Sequence, residues 1–248
     1  MNKLSFIAIS LFFVTPTMVN AACTDTPAPQ VNWDGCDKAK QDFQRQDLTE
    51  AVLKSINLSG ANLKKARLTN ADLGSANLNN AILDGVKAKK ARFVSASMKN
   101  ISIIGARLAS SKFDRADMRQ AQIIKSNLSK SSFYNTNLNE ANLSQSDFSF
   151  SNFEQAKMIE INAEGAKFHH AVLSFSVLED ANFQNANFTR AKLDNTELSG
   201  ADFSNANLQG ADLHGADIGD AIFTNAILDN AIWVNRKRCR TGSIGVCK

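Results

Sequence analysis

The chain has 248 residues, 44% of them hydrophobic and 21% charged, with a formal net charge of +4. This composition excludes a disordered chain, which would lack apolar residues to bury, and leaves room for one large core or two small ones. Ala, Asn, Leu and Ser recur with a fixed rhythm, which points to a repeat array.

Met1 to Lys3 form a short positive segment, and Leu4 to Val14 an apolar run. The run is shorter than the about 20 apolar residues that span a bilayer. Pro16 breaks it, and Val19-Asn20-Ala21 offers a small-residue cleavage site. Residues 1–21 are therefore expected to be a signal peptide, cleaved after Ala21 or Ala22. The mature protein is expected in the periplasm or secreted, with no transmembrane segment. Loss of Lys3 would bring its net charge to +3. Lipidation at Cys23 is the weaker alternative, because a polar Asn20 stands three residues before it and Cys36 would lose its partner.

From Phe43 to Trp233 every fifth residue is large and apolar, with only Ala88 and Ala163 small. Two residues earlier in each unit the residue is mostly Ala. Ser126, Ser131, Ser146 and Thr136 are polar exceptions, and Ile56, Val86, Ile101 and Ile161 bulky ones. A period of five fits neither a helix nor a continuous strand. Two inward residues flanking one outward residue fit a short extended segment, and the other two must turn the chain. Four such sides close a square coil of twenty residues. Coils joined by strand-type hydrogen bonds would rise about 4.8 Å each. No coil can bury its own interior, so its neighbours must.

Units such as Ala61-Asn62-Leu63, Ala71-Asp72-Leu73, Ala201-Asp202-Phe203 and Ala211-Asp212-Leu213 resemble those of the pentapeptide-repeat proteins. The resemblance covers about 39 consecutive units, residues 41–235. It implies an all-β fold, a right-handed quadrilateral parallel β-helix of about ten coils, roughly 45–50 Å long at strand spacing. Residues 22–40 are expected to form an N-terminal cap, because Lys38 interrupts the pattern. Residues 236–248 read as a basic C-terminal tail. Trp33 and Trp233 fall on the same side at opposite ends and suit the caps that a solenoid needs.

In the rod that the resemblance implies, Cys36 and Cys239 lie at opposite ends, too far apart for a disulfide, whose Cα atoms sit within about 7 Å. That leaves Cys23–Cys36 and Cys239–Cys247, a pairing that fits an oxidising compartment. The same separation argues against a zinc site of four thiols.

No catalytic constellation is expected. His169 and His170 share one unit, and His214 lies on another side two coils away. No nucleophile elbow, zinc-protease or P-loop pattern occurs. A narrow coil filled with Leu and Phe leaves no cavity, so neither a cofactor, a metal nor a small-molecule substrate is expected.

Charge carries more information. Residues 41–130 hold 16 Lys and Arg against 7 Asp and Glu, whereas residues 131–235 hold 4 against 14. The tail adds Arg236, Lys237, Arg238, Arg240 and Lys248. Residues twenty apart should stack, which puts Arg67, Lys87 and Arg107 in one column and Arg92 and Lys112 in a second on the next side. Stacked like charges destabilise, so the columns point to an anionic partner outside the cytoplasm, such as lipopolysaccharide, membrane phosphates, acidic glycans or extracellular nucleic acid, with an unidentified protein as the other partner class. An exported, non-enzymatic scaffold that binds through its surface is the leading reading. A secreted effector acting on a protein of another cell is the alternative. Head-to-tail self-association, basic half against acidic half, is a third. Some pentapeptide-repeat proteins mimic DNA and bind DNA gyrase. That role needs a phosphate-like acidic surface and a cytoplasmic setting, which this basic half and export signal oppose.

Overall fold

The computed structural model describes residues 22–248. The expected signal peptide, residues 1–21, lies outside the described residues. Each five-residue unit consists of one bridge residue between two inward residues, followed by a two-residue turn. The bridges are parallel and link each residue to the one twenty further on, from Asn32↔Val52 to Asp212↔Ile232. Four units make a coil. We number its faces from the first coil: face 1 is 31–35, face 2 is 36–40, face 3 is 41–45 and face 4 is 46–50, each repeating every twenty residues. Residues 31–40, expected as a cap, already stand in this parallel register.

The unit's three characteristic residues each have a physical task. The small residue leaves room inside the coil, and its N–H closes the corner by donating to the carbonyl three residues back, as Ala61 does to Leu58 at 3.0 Å. The residue before it has positive φ, for example 65° at Gly60 and 58° at Asn70, which marks a type II-like turn. Asn or Asp at the bridge position accepts from the N–H two residues on. Asn62 Oδ1 takes the Lys64 N–H at 3.1 Å, and Asp202 Oδ1 that of Ser204 at 2.8 Å. These are Asx turns, which pin the corner locally. The large central residue fills the core, and its N–H donates to the bridge residue of the next coil, as Leu63 does to Ile82 at 2.7 Å.

Central side chains stack in columns. Phe93, Phe113, Phe133 and Phe153 on face 1 lie nearly parallel, with ring centroids 4.9, 4.8 and 4.5 Å apart. Phe148, Phe168 and Phe188 form a second column on face 4. Phe183, Phe203 and Phe223 form a third on face 3. Such pairs contribute about 0.5–1.5 kcal/mol each beyond burial.

The polar exceptions at the small position are buried and satisfied. Ser126 Oγ donates to the Ile103 carbonyl of the preceding coil at 2.7 Å and accepts the Ala106 N–H at 3.0 Å. Ser146 does the same for Ile123 and Ser126. At these two corners the direct bond between the small residue and the central carbonyl is absent, and the serine hydroxyl of the next coil bridges the gap. Thr136 Oγ1 donates to Phe113 O at 2.7 Å.

Both ends are pinned by disulfides, Cys23–Cys36 and Cys239–Cys247, the pairing expected. Lys38 takes a central position and is only 8% exposed. Its ammonium lies 4.5 Å from the Trp33 ring centroid and donates to Cys23 O at 2.6 Å, so its charge is met by a π-face and a carbonyl. At the other end residues 236–248 turn back and form antiparallel bridges Ile232↔Arg238 and Ile227↔Ile244.

Candidate binding surface

The parallel register carries the basic side chains into file. Arg67, Lys87 and Arg107 are consecutive bridge residues on face 4, and Arg92 and Lys112 on face 1. All five are exposed. An Asp sits below each column. Asp47 Oδ2 lies 3.5 Å from Arg67 and Asp72 Oδ2 lies 3.7 Å from Arg92. The Asp47 carboxyl is held below its ordinary pKa, chiefly by the hydrogen bond from the Thr49 hydroxyl, with Arg67 adding to it. Lys87, Arg107 and Lys112 form no ion pair among the described residues, so the columns have a neutralised foot and an unneutralised upper part.

Lys89 and Lys90 were missed by reading bridge positions alone. They occupy the turn between faces 4 and 1, both exposed, and join the two columns across the corner. The run Lys87-Ala88-Lys89-Lys90 was the available signal. A shallow depression lined by Lys87, Lys89, Arg107, Ala109 and Asn127 opens on this surface.

The remaining candidates are dispersed. Trp33 is fully buried at the first coil, against Phe43 at 5.3 Å, and Trp233 is half-buried at the last, against Phe223 at 5.2 Å. Neither is placed to stack on a ligand with the other. His169 and His170 sit at a face 4 turn beside exposed Phe150, whose ring stacks on His170 at 5.0 Å. Burial lowers the His170 pKa, and the charges of His169 and Arg190 lower it further. His214, on face 1, contacts Asp212 at 2.9 Å. No group of three or more His, Cys, Asp or Glu that could hold a metal occurs among the described residues. No helix among them is long and apolar enough to cross a membrane.

The geometry defines a repeat solenoid with flat polar faces and a filled core. The sequence signature of the pentapeptide repeats matches in eight copies, over residues 42–74, 61–100, 101–145, 126–162, 146–185, 181–220 and 206–232. The chain belongs to the pentapeptide-repeat family. Among curated proteins no sequence matches it significantly. Of solved structures, it is similar to QnrB1, a plasmid-mediated fluoroquinolone resistance protein, at 14% identity and a TM-score of 0.53, covering 77% of this chain and 89% of that one. It is also similar to HetL, a pentapeptide-repeat protein involved in heterocyst differentiation regulation from the cyanobacterium Nostoc sp. strain PCC 7120, at 25% identity and a TM-score of 0.28, covering 85% and 92%. The QnrB1 likeness carries the fold and nothing about partners.

Proposed function

We propose that the protein is a non-catalytic exported scaffold that binds an anionic partner through the basic columns of its N-terminal half. One observation carries the reading: among the described residues Lys87 and Arg107 on face 4 and Lys112 on face 1 have no carboxylate partner, while Arg67 and Arg92 beneath them each have one. Strand spacing sets successive cations about 5 Å apart. Their mutual repulsion is then a standing cost that an anion relieves. The two disulfides support an oxidising compartment. Cleavage near Ala21/Ala22 and delivery to the periplasm or medium belong to the same reading. The partner class is an envelope polyanion such as lipopolysaccharide, acidic lipid or acidic glycan.

The test is binding of the mature protein to lipopolysaccharide, acidic vesicles and DNA at low and physiological salt, beside a variant with Arg67, Lys87, Arg92, Arg107 and Lys112 changed to Gln. Binding that survives physiological salt and is lost in the variant supports the site. Equal binding by both proteins, or none by either, refutes it.

A further inference from the structure

The corner between faces 4 and 1 changes character in the C-terminal half. Its positive-φ turn residues run Phe150, His170, Arg190, Gly210 and Asn230, one per coil and about 5 Å apart. Beyond residue 150 the only acidic residue on face 4 is Asp229, whereas seven carboxylates, from Glu140 to Asp220, lie on the opposite face 2. Asp229 is taken up by the tail, its Oδ1 accepting the N–H groups of Gly242 at 2.7 Å and Ser243 at 3.1 Å. Arg190 forms no ion pair among the described residues. An otherwise acidic half of the rod therefore keeps one corner where a guanidinium stands without a carboxylate.

On this corner a depression of about 700 Å³ opens to solvent, outside the filled coils. Arg190 and Arg238 both line it. Arg190 stands one coil below Gly210. Arg238 is brought in by the fold-back of the tail, through its bridge to Ile232, and its Nη1 donates at 3.2 Å to the carbonyl of Asn230, one coil above Gly210. The disulfide at the adjacent Cys239 pins it there. Gly210 is the only glycine in this column of turn residues, and every other coil carries a side chain at its position. A Cβ on Gly210 would rest 3.5 Å from Arg190 Cγ, an ordinary contact, so packing does not demand glycine. Its missing side chain leaves a notch between the two guanidinium groups. His169, Thr189 and Gln209 line the depression from the neighbouring turn position of three successive coils, an imidazole, a hydroxyl and an amide in a row. Beside them the exposed Phe150 ring stacks on His170 at 5.0 Å.

We propose that this depression binds an acidic sugar unit. Arg190 and Arg238 take its carboxylate or phosphate, since the planar guanidinium fork matches either oxyanion. His169, Thr189 and Gln209 meet its hydroxyls, and the Phe150–His170 stack offers an apolar face beside them. A few convergent polar groups around a concave surface are what a small polar ligand requires. The site is distinct from the basic columns and does not rest on them: Arg190 lies four coils above Arg107, about 19 Å along the axis.

The test titrates a galacturonic acid trimer and, separately, glucose 6-phosphate into the disulfide-intact mature protein, with affinity from calorimetry and the site from histidine ring resonances. Maltotriose is the neutral control and inorganic phosphate the bare anion. The rings of His169 and His170 should shift with binding, while that of His214, at the next corner, stays still. The tighter of the two acidic sugars names the anion. Arg190→Gln and Arg238→Gln should each weaken it at least tenfold. Gly210→Asn fills the notch and leaves every charge in place, and should weaken binding at least fivefold. Asn70 and Asn230 already hold this turn position with φ of 58°, so the variant keeps the fold. The variant with Arg67, Lys87, Arg92, Arg107 and Lys112 changed to Gln should bind the sugar as wild type does, which separates this site from the columns. A still His169 ring, full binding by Arg190→Gln or Gly210→Asn, maltotriose binding as well as the trimer, or phosphate binding as tightly as either acidic sugar would each overturn the proposal. Loss of the sugar in the column variant would place binding on the columns and equally overturn it.

Discussion

Ser126→Ala should destabilise the rod by about 1–2 kcal/mol, although alanine is the commonest residue at that position. The hydroxyl bridges Ile103 O at 2.7 Å and Ala106 N–H at 3.0 Å, inside the rod and away from water. Its removal strands a donor and an acceptor, each costing about 1–3 kcal/mol if left bare. The two stranded groups belong to one corner and can pair with each other, as Ala61 and Leu58 do at 3.0 Å. That closure offsets roughly half the loss. Ser146→Ala should behave alike. Because Ser126 N–H donates to Ser146 Oγ at 3.0 Å, the double variant should depart from additivity by more than about 0.5 kcal/mol. Urea unfolding of the disulfide-intact protein measures all three. A neutral Ser126→Ala, or strict additivity with Ser146→Ala, would refute the bridging role.

Other consequences follow from the same geometry. Phe133 stacks between Phe113 and Phe153 and meets Phe148 edge-on, so Phe133→Ala should cost about 3–5 kcal/mol, whereas Phe150→Ala at a 53% exposed turn should stay within about 0.5 kcal/mol by the same unfolding assay. Burial raises the Asp117 pKa, but the Arg119 hydrogen bonds and the charges of Arg119 and Lys99 outweigh it and hold the carboxyl below its ordinary value. Its contribution is present above about pH 3.9 and is lost as pH falls through the lowered value. Arg119→Gln should therefore lower Tm at pH 7, with the gap to wild type narrowing in acid; a gap independent of pH contradicts this. Reduction of Cys239–Cys247, or Cys239→Ser with Cys247→Ser, should speed exchange at the Leu228, Asn230 and Trp233 amides that bond to the tail and leave the first coils unchanged.

The rod was legible because its determinants are local and repeat without a slip. The Ala, Asn/Asp and Leu/Phe positions each correspond to one contact, and every fifth residue reports the same environment. Once twenty residues made a coil, stacking of Arg67 on Lys87 on Arg107 followed, and so did the cysteine pairing that the implied rod left open. Features that break the period were harder to read. Ser126 looked like a tolerated exception, because its partners, Ile103 and Ala106, lie one coil below and are not near it in sequence. Lys38 read as an interruption, because its compensation by Trp33 and Cys23 depends on how the preceding segment folds back. Lys89 and Lys90 sat on turn positions that a bridge-only reading passes over. The fold-back of 236–248 has no period at all, so its antiparallel bridges could not be seen in advance.

For binding, the position of the basic residues matters, not their number. The most direct measurement compares Lys87→Gln/Arg107→Gln/Lys112→Gln with a matched variant, Lys157→Gln/Lys167→Gln/Lys192→Gln, which removes three bridge-position cations from the C-terminal half. Binding to acidic vesicles and to lipopolysaccharide would be followed against salt concentration. The first variant should bind at least tenfold more weakly and with a shallower salt dependence, and the second should stay close to wild type. Equal losses in both would show that net charge alone governs binding and that the columns are not a site.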